Sequence, residues 1–276
     1  KTVTVQLVSR QTAGIPRATN DIGILLKHEP GWHTYWQFSG DSGFAPSVEW
    51  KLPRRWTAEQ IGWPTPQKHK LGPITNFVYS GEVLLPFNLD IPWGTPYGGT
   101  YTLRAKVDYL ACKEVCIPGT AEVSMKLPEV AAKPGPFAGK FEKTLKSIPE
   151  KVVSEHISAQ IEDGRIRIDF APLAGKIEKK VEFFPLSEGL VDFKELDRAV
   201  LGKDQVSLYL KAAPEYLESL KTDKPLPFAG VIVADGGPDN EGWAIETTLD
   251  IKSGEVPLPW APEEKPAPDQ AQPATP

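Results

Sequence analysis

The sequence predicts an all-β protein built from two β-rich units. Three observations lead there: period-two alternation of apolar and polar residues in several segments, dense proline punctuation that forbids long helices, and a single convincing helical stretch between the units. The chain has 276 residues, 40% hydrophobic and 24% charged, the balance of a chain able to bury a sizeable core. Its net charge of −5 comes from interspersed charges, which argues against a phosphate-tracking surface and so against nucleic acid as a partner. No apolar run approaches the roughly 20 residues needed to span a bilayer.

In chain order, Thr2 to Val8 alternates Val3, Val5 and Leu7 against Thr2, Thr4 and Gln6, a strand with one buried face. Asp21 to His28 reads as a second strand ended by Glu29-Pro30-Gly31, and Trp32 to Trp36 as a third. From Ser47 to Phe87, Pro53, Pro64, Pro66, Pro73 and Pro86 leave room only for short strands and loops. Tyr101 to Cys112 is the clearest strand: Tyr101, Leu103, Ala105, Val107 and Tyr109 share one face, and Thr102, Arg104, Lys106 and Asp108 the other. Ala121, Val123 and Met125 repeat the alternation after the cysteines. Residues 1–128 are therefore expected to form an antiparallel sandwich.

Residues 129–150 read as a Pro/Ala/Gly-rich linker followed by a short helix from Phe137 to Ile148, with Phe137, Phe141 and Leu145 at four-residue spacing. Residues 151–254 form the second β-rich unit, with strands expected at Arg165–Phe170, Lys180–Phe184, Gln205–Leu210, Phe228–Ala234 and Trp243–Leu249. Turns are expected at Asp163-Gly164 and Asp235-Gly236, and a short helix from Pro214 to Leu220. Residues 255–276 are dominated by Pro, Ala, Glu and Gln and read as a flexible tail.

Cys112 and Cys116 are the only cysteines. With Lys113, Glu114 and Val115 as a three-residue hairpin loop, the two lie directly opposite each other, off the core face. Three readings stand: a redox-active pair, a structural bridge, or two unpaired thiols or half a metal site. A bridge closing about five residues contributes roughly 2 kcal/mol in the chain-entropy model, less than one joining distant strands, which favours exchange. Lys113 beside the pair would lower a thiol pKa and Glu114 would raise it.

Other function classes leave weaker marks. Trp32, Trp36, Trp50, Trp56 and Trp63 lie close in sequence, and exposed aromatics on a sandwich would suit a carbohydrate- or protein-binding module with a structural disulfide. With four scattered histidines and one methionine, Met125, no metal-ligand cluster is legible; a copper(I) site would depend almost wholly on Cys112 and Cys116. No cofactor and no small-molecule ligand is expected.

Three motifs carry a family resemblance: Gly31-Trp32-His33-Thr34-Tyr35-Trp36 followed by Gly40-Asp41-Ser42-Gly43; Gly72-Pro73 leading into Asn76-Phe77-Val78-Tyr79-Ser80-Gly81-Glu82-Val83; and Asp108-Tyr109-Leu110-Ala111-Cys112-Lys113-Glu114-Val115-Cys116-Ile117-Pro118-Gly119. Residues 1–128 resemble the N-terminal periplasmic domain of DsbD-type transmembrane thiol-disulfide reductases, most closely the ScsB (suppressor of copper sensitivity) branch. The resemblance implies an immunoglobulin-like fold and a protein-disulfide reductase module in the periplasm, the soluble portion of an inner-membrane protein. It implies electrons drawn from the membrane and thioredoxin-like parts of the same protein and passed to thioredoxin-like or isomerase-like partners, including ScsC-type thiol proteins of copper stress. It also implies that Cys116 forms mixed disulfides and Cys112 resolves them, that Phe77 with Asn76 and Tyr79 forms a cap over the pair, and that His33 and Tyr35 flank it. The five-residue Cys112–Cys116 segment is shorter than in the best-known DsbD members.

Overall fold

The computed structural model describes residues 2–151, 157–171, 180–194, 198–201, 205–234, 243–249 and 251–253. Its elements in chain order are β1 (Val3–Ser9), β2 (Asp21–His28), β3 (His33–Gly40), β4 (Ser47–Lys51), β5 (Thr57–Gln60), β6 (Gln67–Leu71), β7 (Ile74–Ser80), β8 (Glu82–Asp90), β9 (Thr100–Cys112), β10 (Cys116–Pro128) and α1 (Ala138–Lys146). There follow β11 (Glu150–Lys151), β12 (Ile157–Glu162), β13 (Arg165–Phe170), β14 (Val181–Pro185), β15 (Arg198–Leu201), β16 (Val206–Lys211), α2 (Pro214–Ser219), β17 (Phe228–Ala234), β18 (Trp243–Leu249) and β19 (Ile251–Ser253). The architecture is all-β and immunoglobulin-like, with a second β-rich region, as the sequence predicts.

Two sheets form the first unit: β1-β2-β8-β5, and β10-β9-β3-β7-β6 with β4 alongside β9. They enclose a core of Val3, Ile22, Ile24, Leu26, Trp36, Phe77, Tyr79, Leu85, Leu103 and Val107. The alternation seen in the sequence is the cause: Leu103, Ala105, Val107 and Tyr109 of β9 are buried in that core, while Arg104 points to solvent. Trp36 and Trp56 are buried in the core and Trp32, Trp50 and Trp63 pack against it. These five rings thus have structural partners and do not form an exposed sugar-stacking platform.

Helix α1 lays Phe141 on the outer face of the first sheet, against Val8, Leu25 and Leu84. The linker segment before it is held by backbone hydrogen bonds. Gly98 N–H donates to the Glu129 carbonyl (2.7 Å), Thr12 N–H to Lys133 (2.9 Å) and Gly135 N–H to Arg10 (2.7 Å), so its backbone is tied to the loop before β9 and to the loop after β1. Prolines there remove donors but leave carbonyls free to accept.

The second unit has sheets β11-β18-β17-β14 and β15-β16-β13-β12-β19. All five expected strands are found within a residue of their predicted ends. The Asp163-Gly164 turn has positive φ at both residues (48° and 71°), the mirror-image geometry suited to a two-residue hairpin. α2 begins at Pro214, as expected. Asp235-Gly236 and the 255–276 tail lie outside the described residues. β11, β12, β15 and β19 escaped the sequence reading: β11, β15 and β19 are only two to four residues long, while β12 alternates Ile157, Ala159 and Ile161 toward the core over a short segment.

Candidate functional site

The β9–β10 hairpin closes as the spacing predicts. Cys112 and Cys116 are register partners at the first of thirteen pairs running to Thr100–Pro128, with Lys113, Glu114 and Val115 as the loop. Lys113 N–H donates to the Val115 carbonyl inside it (3.1 Å). The two cysteines form a disulfide with Cα atoms 4.1 Å apart, the close spacing of an opposed pair that does not exchange backbone hydrogen bonds.

The sulfurs have unlike surroundings. Cys112 is only 3% exposed and belongs to a small cluster with Tyr35 and Val78, against which Leu110 packs. Cys116 is exposed. Strand parity placed both cysteines off the main core, which holds; Cys112 is nonetheless buried, because this outer face of the six-stranded sheet carries a second, smaller apolar cluster. The Tyr35 hydroxyl donates to Cys112 Sγ over 3.0 Å and lies 3.9 Å from Cys116 Sγ. Burial pushes the Tyr35 phenol above its ordinary pKa, so it stays protonated and able to donate.

A loop holds Tyr35 in place. Gly43 (φ +88°) lies flat on the ring: a Cβ there would fall 2.3 Å from Tyr35 Cζ. Gly40 (φ +85°) passes so close to β7 that a Cβ would fall 2.3 Å from the Thr75 carbonyl oxygen. Between them, Thr75 N–H donates to Asp41 Oδ2 (2.7 Å) and Asp41 N–H returns to the Thr75 carbonyl (3.0 Å). Ser42 N–H and Oγ–H lie 3.1 and 3.2 Å from Asn76 Oδ1. The Gly40-Asp41-Ser42-Gly43 stretch is therefore a latch from β3 to β7 across the tyrosine.

The other expected site residues are placed as follows. Asn76 stands in the latch. Phe77 and Tyr79 do not reach the disulfide: successive strand residues face opposite ways, and both lie on the core face, whereas Val78 between them faces Cys112. Phe77 is 0% exposed and packs on Trp36 (6.2 Å), while the Tyr79 hydroxyl donates to the Pro64 carbonyl (2.6 Å). The ring that covers Cys112 is Tyr35, in the place expected of Phe77. Lys113 and Glu114 are exposed in the hairpin loop, and the Lys113 stem lies across Gly31, where a Cβ would meet its Cε at 2.9 Å.

His33 is the register partner of Cys112 on β3, and its ring lies 4.7 Å from that of His69 and 5.6 Å from Tyr35. Burial first, and then the neighbouring His69 and His28, lower its pKa to about 4, so the imidazole is neutral at pH 7. His28 donates through Nδ1 to the Gly81 carbonyl (2.8 Å) and meets Thr34 Oγ1 through Nε2 (2.9 Å); burial lowers its pKa also. Sequence reading missed Val78, Leu110, Ser42, Gly43 and His69 as site residues. Parity with Cys112 marks Leu110, but the rest needs the β3–β7–β6 register.

Among the described residues no group of three His, Cys, Asp or Glu side chains converges as metal ligands, and no helix is long and apolar enough to cross a membrane. Comparison with known proteins adds the family. Residues 4–128 match the sequence model described as "Thiol:disulfide interchange protein DsbD, N-terminal". This stretch is similar to the N-terminal domain of DsbD-type proteins. No curated protein sequence matches the chain.

Among solved structures, the N-terminal periplasmic domain of ScsB from Proteus mirabilis aligns with a TM-score of 0.59 at 18% identity, over 91% of this chain and 92% of that one. The likeness in fold extends past the matched stretch into the second unit. A protein of unknown function from Porphyromonas gingivalis W83 aligns over 91% of this chain and 100% of its own at 11% identity, with a TM-score of only 0.23. The family so described is one of thiol-disulfide interchange proteins, and both cysteines of the chain lie within the matched stretch, joined in the disulfide under Tyr35.

Proposed function

We propose that this chain is the periplasmic module of a DsbD-type reductase, and that it passes electrons through Cys112 and Cys116 to disulfides of partner proteins. The observation that carries the reading is the asymmetry of the pair: one exposed sulfur, Cys116, opposed to a buried one, Cys112, under the Tyr35 hydroxyl. A donor thiolate from a thioredoxin-like part of the full-length protein attacks Cys116 Sγ. The S–S electron pair leaves on Cys112, where the tyrosine hydroxyl stabilises the new thiolate. A second donor thiol then displaces Cys116, leaving the donor oxidised and the pair reduced.

In the forward transfer the Cys116 thiolate attacks a partner disulfide, expelling one partner thiolate and forming a mixed disulfide. The Cys112 thiolate then attacks Cys116 Sγ and releases the second. Two electrons leave the pair and two partner sulfurs are reduced. Val115 (62% exposed) and Ile117 (44%), the chain neighbours of Cys116, supply apolar surface beside it for a docked partner. Partners of this class include thioredoxin-like and isomerase-like thiol proteins, and relief of copper stress would follow from repairing their thiols.

Trapping tests the reading. In the full chain, Cys112→Ala is expected to accumulate a mixed disulfide at Cys116 with a thioredoxin-like periplasmic protein, while Cys116→Ala accumulates little because Cys112 is covered. If neither variant traps a thiol protein and the native disulfide resists a thioredoxin-like donor, exchange is not its function.

A further inference from the structure

We propose that the second β unit is part of the redox site's scaffold, with Phe184 and Phe193 acting as positioning residues that seat Tyr35 on Cys112. This rests on the exchange reading for its purpose, though not for its geometry.

Strand alternation sets the geometry. Tyr35 and Val78 are register partners on β3 and β7, and together they enclose Cys112 on the outer face of the sheet. The next residue along each strand points to the opposite face: Trp36 on β3 and Phe77 on β7, both 0% exposed. Both of these rings meet the same side chain from the second unit. Phe184 of β14 lies 6.1 Å from Trp36 and 5.2 Å from Phe77, edge-on to each. Phe193, in the loop after β14, lies 5.3 Å from Phe77 at 86°.

Phe184 is itself fully buried and belongs to the core of the first unit, together with Val231 and Val233 of β17. Lys68 of β6 places its ammonium 5.3 Å from the Phe184 ring centre, over the face. Among the described residues, no strand of the first unit pairs with a strand of the second. The two units therefore meet through side chains, and the aromatic contact falls directly behind the disulfide cluster.

β7 also carries Thr75 and Asn76, which hold the Gly40–Gly43 latch over the tyrosine ring. A cleft of about 680 Å³ opens beside this contact, with Phe38, Gly40 and Asp41 on one wall and Asp192, Phe193 and Glu215 on another. Removing the rings from the second unit leaves β7 backed on one side by open space. The strand can then relax away from Cys112, taking the register partner and the latch of Tyr35 with it.

Thiol titration in the full chain reads this directly. With Cys116→Ala in place, thiolate absorbance against pH reports Cys112 alone. A tyrosine hydroxyl aimed at the sulfur favours the thiolate. Phe184→Ala is expected to raise the Cys112 midpoint by about half a unit or more, and Phe184→Leu to restore most of it. When Tyr35→Phe is also present, Phe184→Ala is expected to add nothing.

Phe193→Ala, a change at a partly exposed ring, carries the same test should Phe184→Ala fold poorly. An unmoved midpoint in Phe193→Ala and Phe184→Leu alike, or an equal shift with and without the Tyr35 hydroxyl, overturns the proposal. No partner protein enters the measurement, so failure of mixed-disulfide trapping would leave it standing, and the converse also holds.

Discussion

The Tyr35 hydroxyl donates to the buried sulfur, Cys112 Sγ, at 3.0 Å, and stands 0.9 Å further from the exposed one (3.9 against 3.0 Å). It is thus arranged to stabilise charge on the leaving group when Cys116 is attacked. Tyr35→Phe keeps the covering ring and removes only the donor. A hydrogen bond to a charged group contributes about 1.5–3 kcal/mol. Reduction of the disulfide by a small thiol is expected to slow by about tenfold or more, and the Cys112 thiol to titrate at higher pH. Stopped-flow reduction at fixed thiol concentration checks this; an unchanged rate removes the hydroxyl from the chemistry.

Gly43 is the point at which the latch touches the ring. Gly43→Ala introduces a Cβ 2.3 Å from Tyr35 Cζ at a φ of +88°, so either the loop or the ring must move. The left-handed backbone costs about 1–2 kcal/mol for an L-residue. The displaced ring is expected to leave Cys112 open to alkylation in the reduced protein, severalfold faster than wild type, while Cys116 alkylates at its usual rate. Mass spectrometry of the two labelled positions separates them, and equal acceleration at both would point to general loosening instead.

His33 makes folding sensitive to acid. Its pKa is about 4 in the folded protein and near 6.5 when unfolded, so the unfolded chain binds the extra proton first as pH falls. The neutral ring costs no stability above about pH 6.5. Below that the folded state loses ground progressively, and the loss is complete below about pH 4. Discounted for its partly wetted neighbour His69, the effect is on the order of 2 kcal/mol. Denaturant unfolding of wild type and His33→Gln at pH 7 and pH 4 is expected to show a smaller acid loss in the variant. His28, shifted in the same direction, is present in both, so the difference between them reports His33 together with its coupling to His28.

Much of this was legible from local pattern. The alternation of Leu103, Ala105, Val107 and Tyr109 gave β9 its buried face, and the three-residue spacing put Cys112 opposite Cys116 before any coordinates. What was not legible depended on register between distant strands. Nothing local says whether Phe77 or Val78 faces the cysteines; that follows from the pairing of Tyr35 with Val78, 43 residues away in the chain. The same holds for Phe184, whose contact with Phe77 crosses from one β unit to the other. The hydrogen bonds along the linker were equally hidden, because proline-rich composition reports poor helix and strand propensity and says nothing of backbone hydrogen bonds.

The thirteen-pair ladder of β9 and β10 has a kinetic meaning of its own. When the disulfide opens, twelve rungs remain behind it, so the two thiols cannot drift apart as they would on a flexible loop. Each sulfur meets the other at a very high effective molarity, the condition under which an intramolecular step outruns a bimolecular one. A mixed disulfide on Cys116 should accordingly be short-lived in the native protein, favouring prompt release of the partner over lingering attachment.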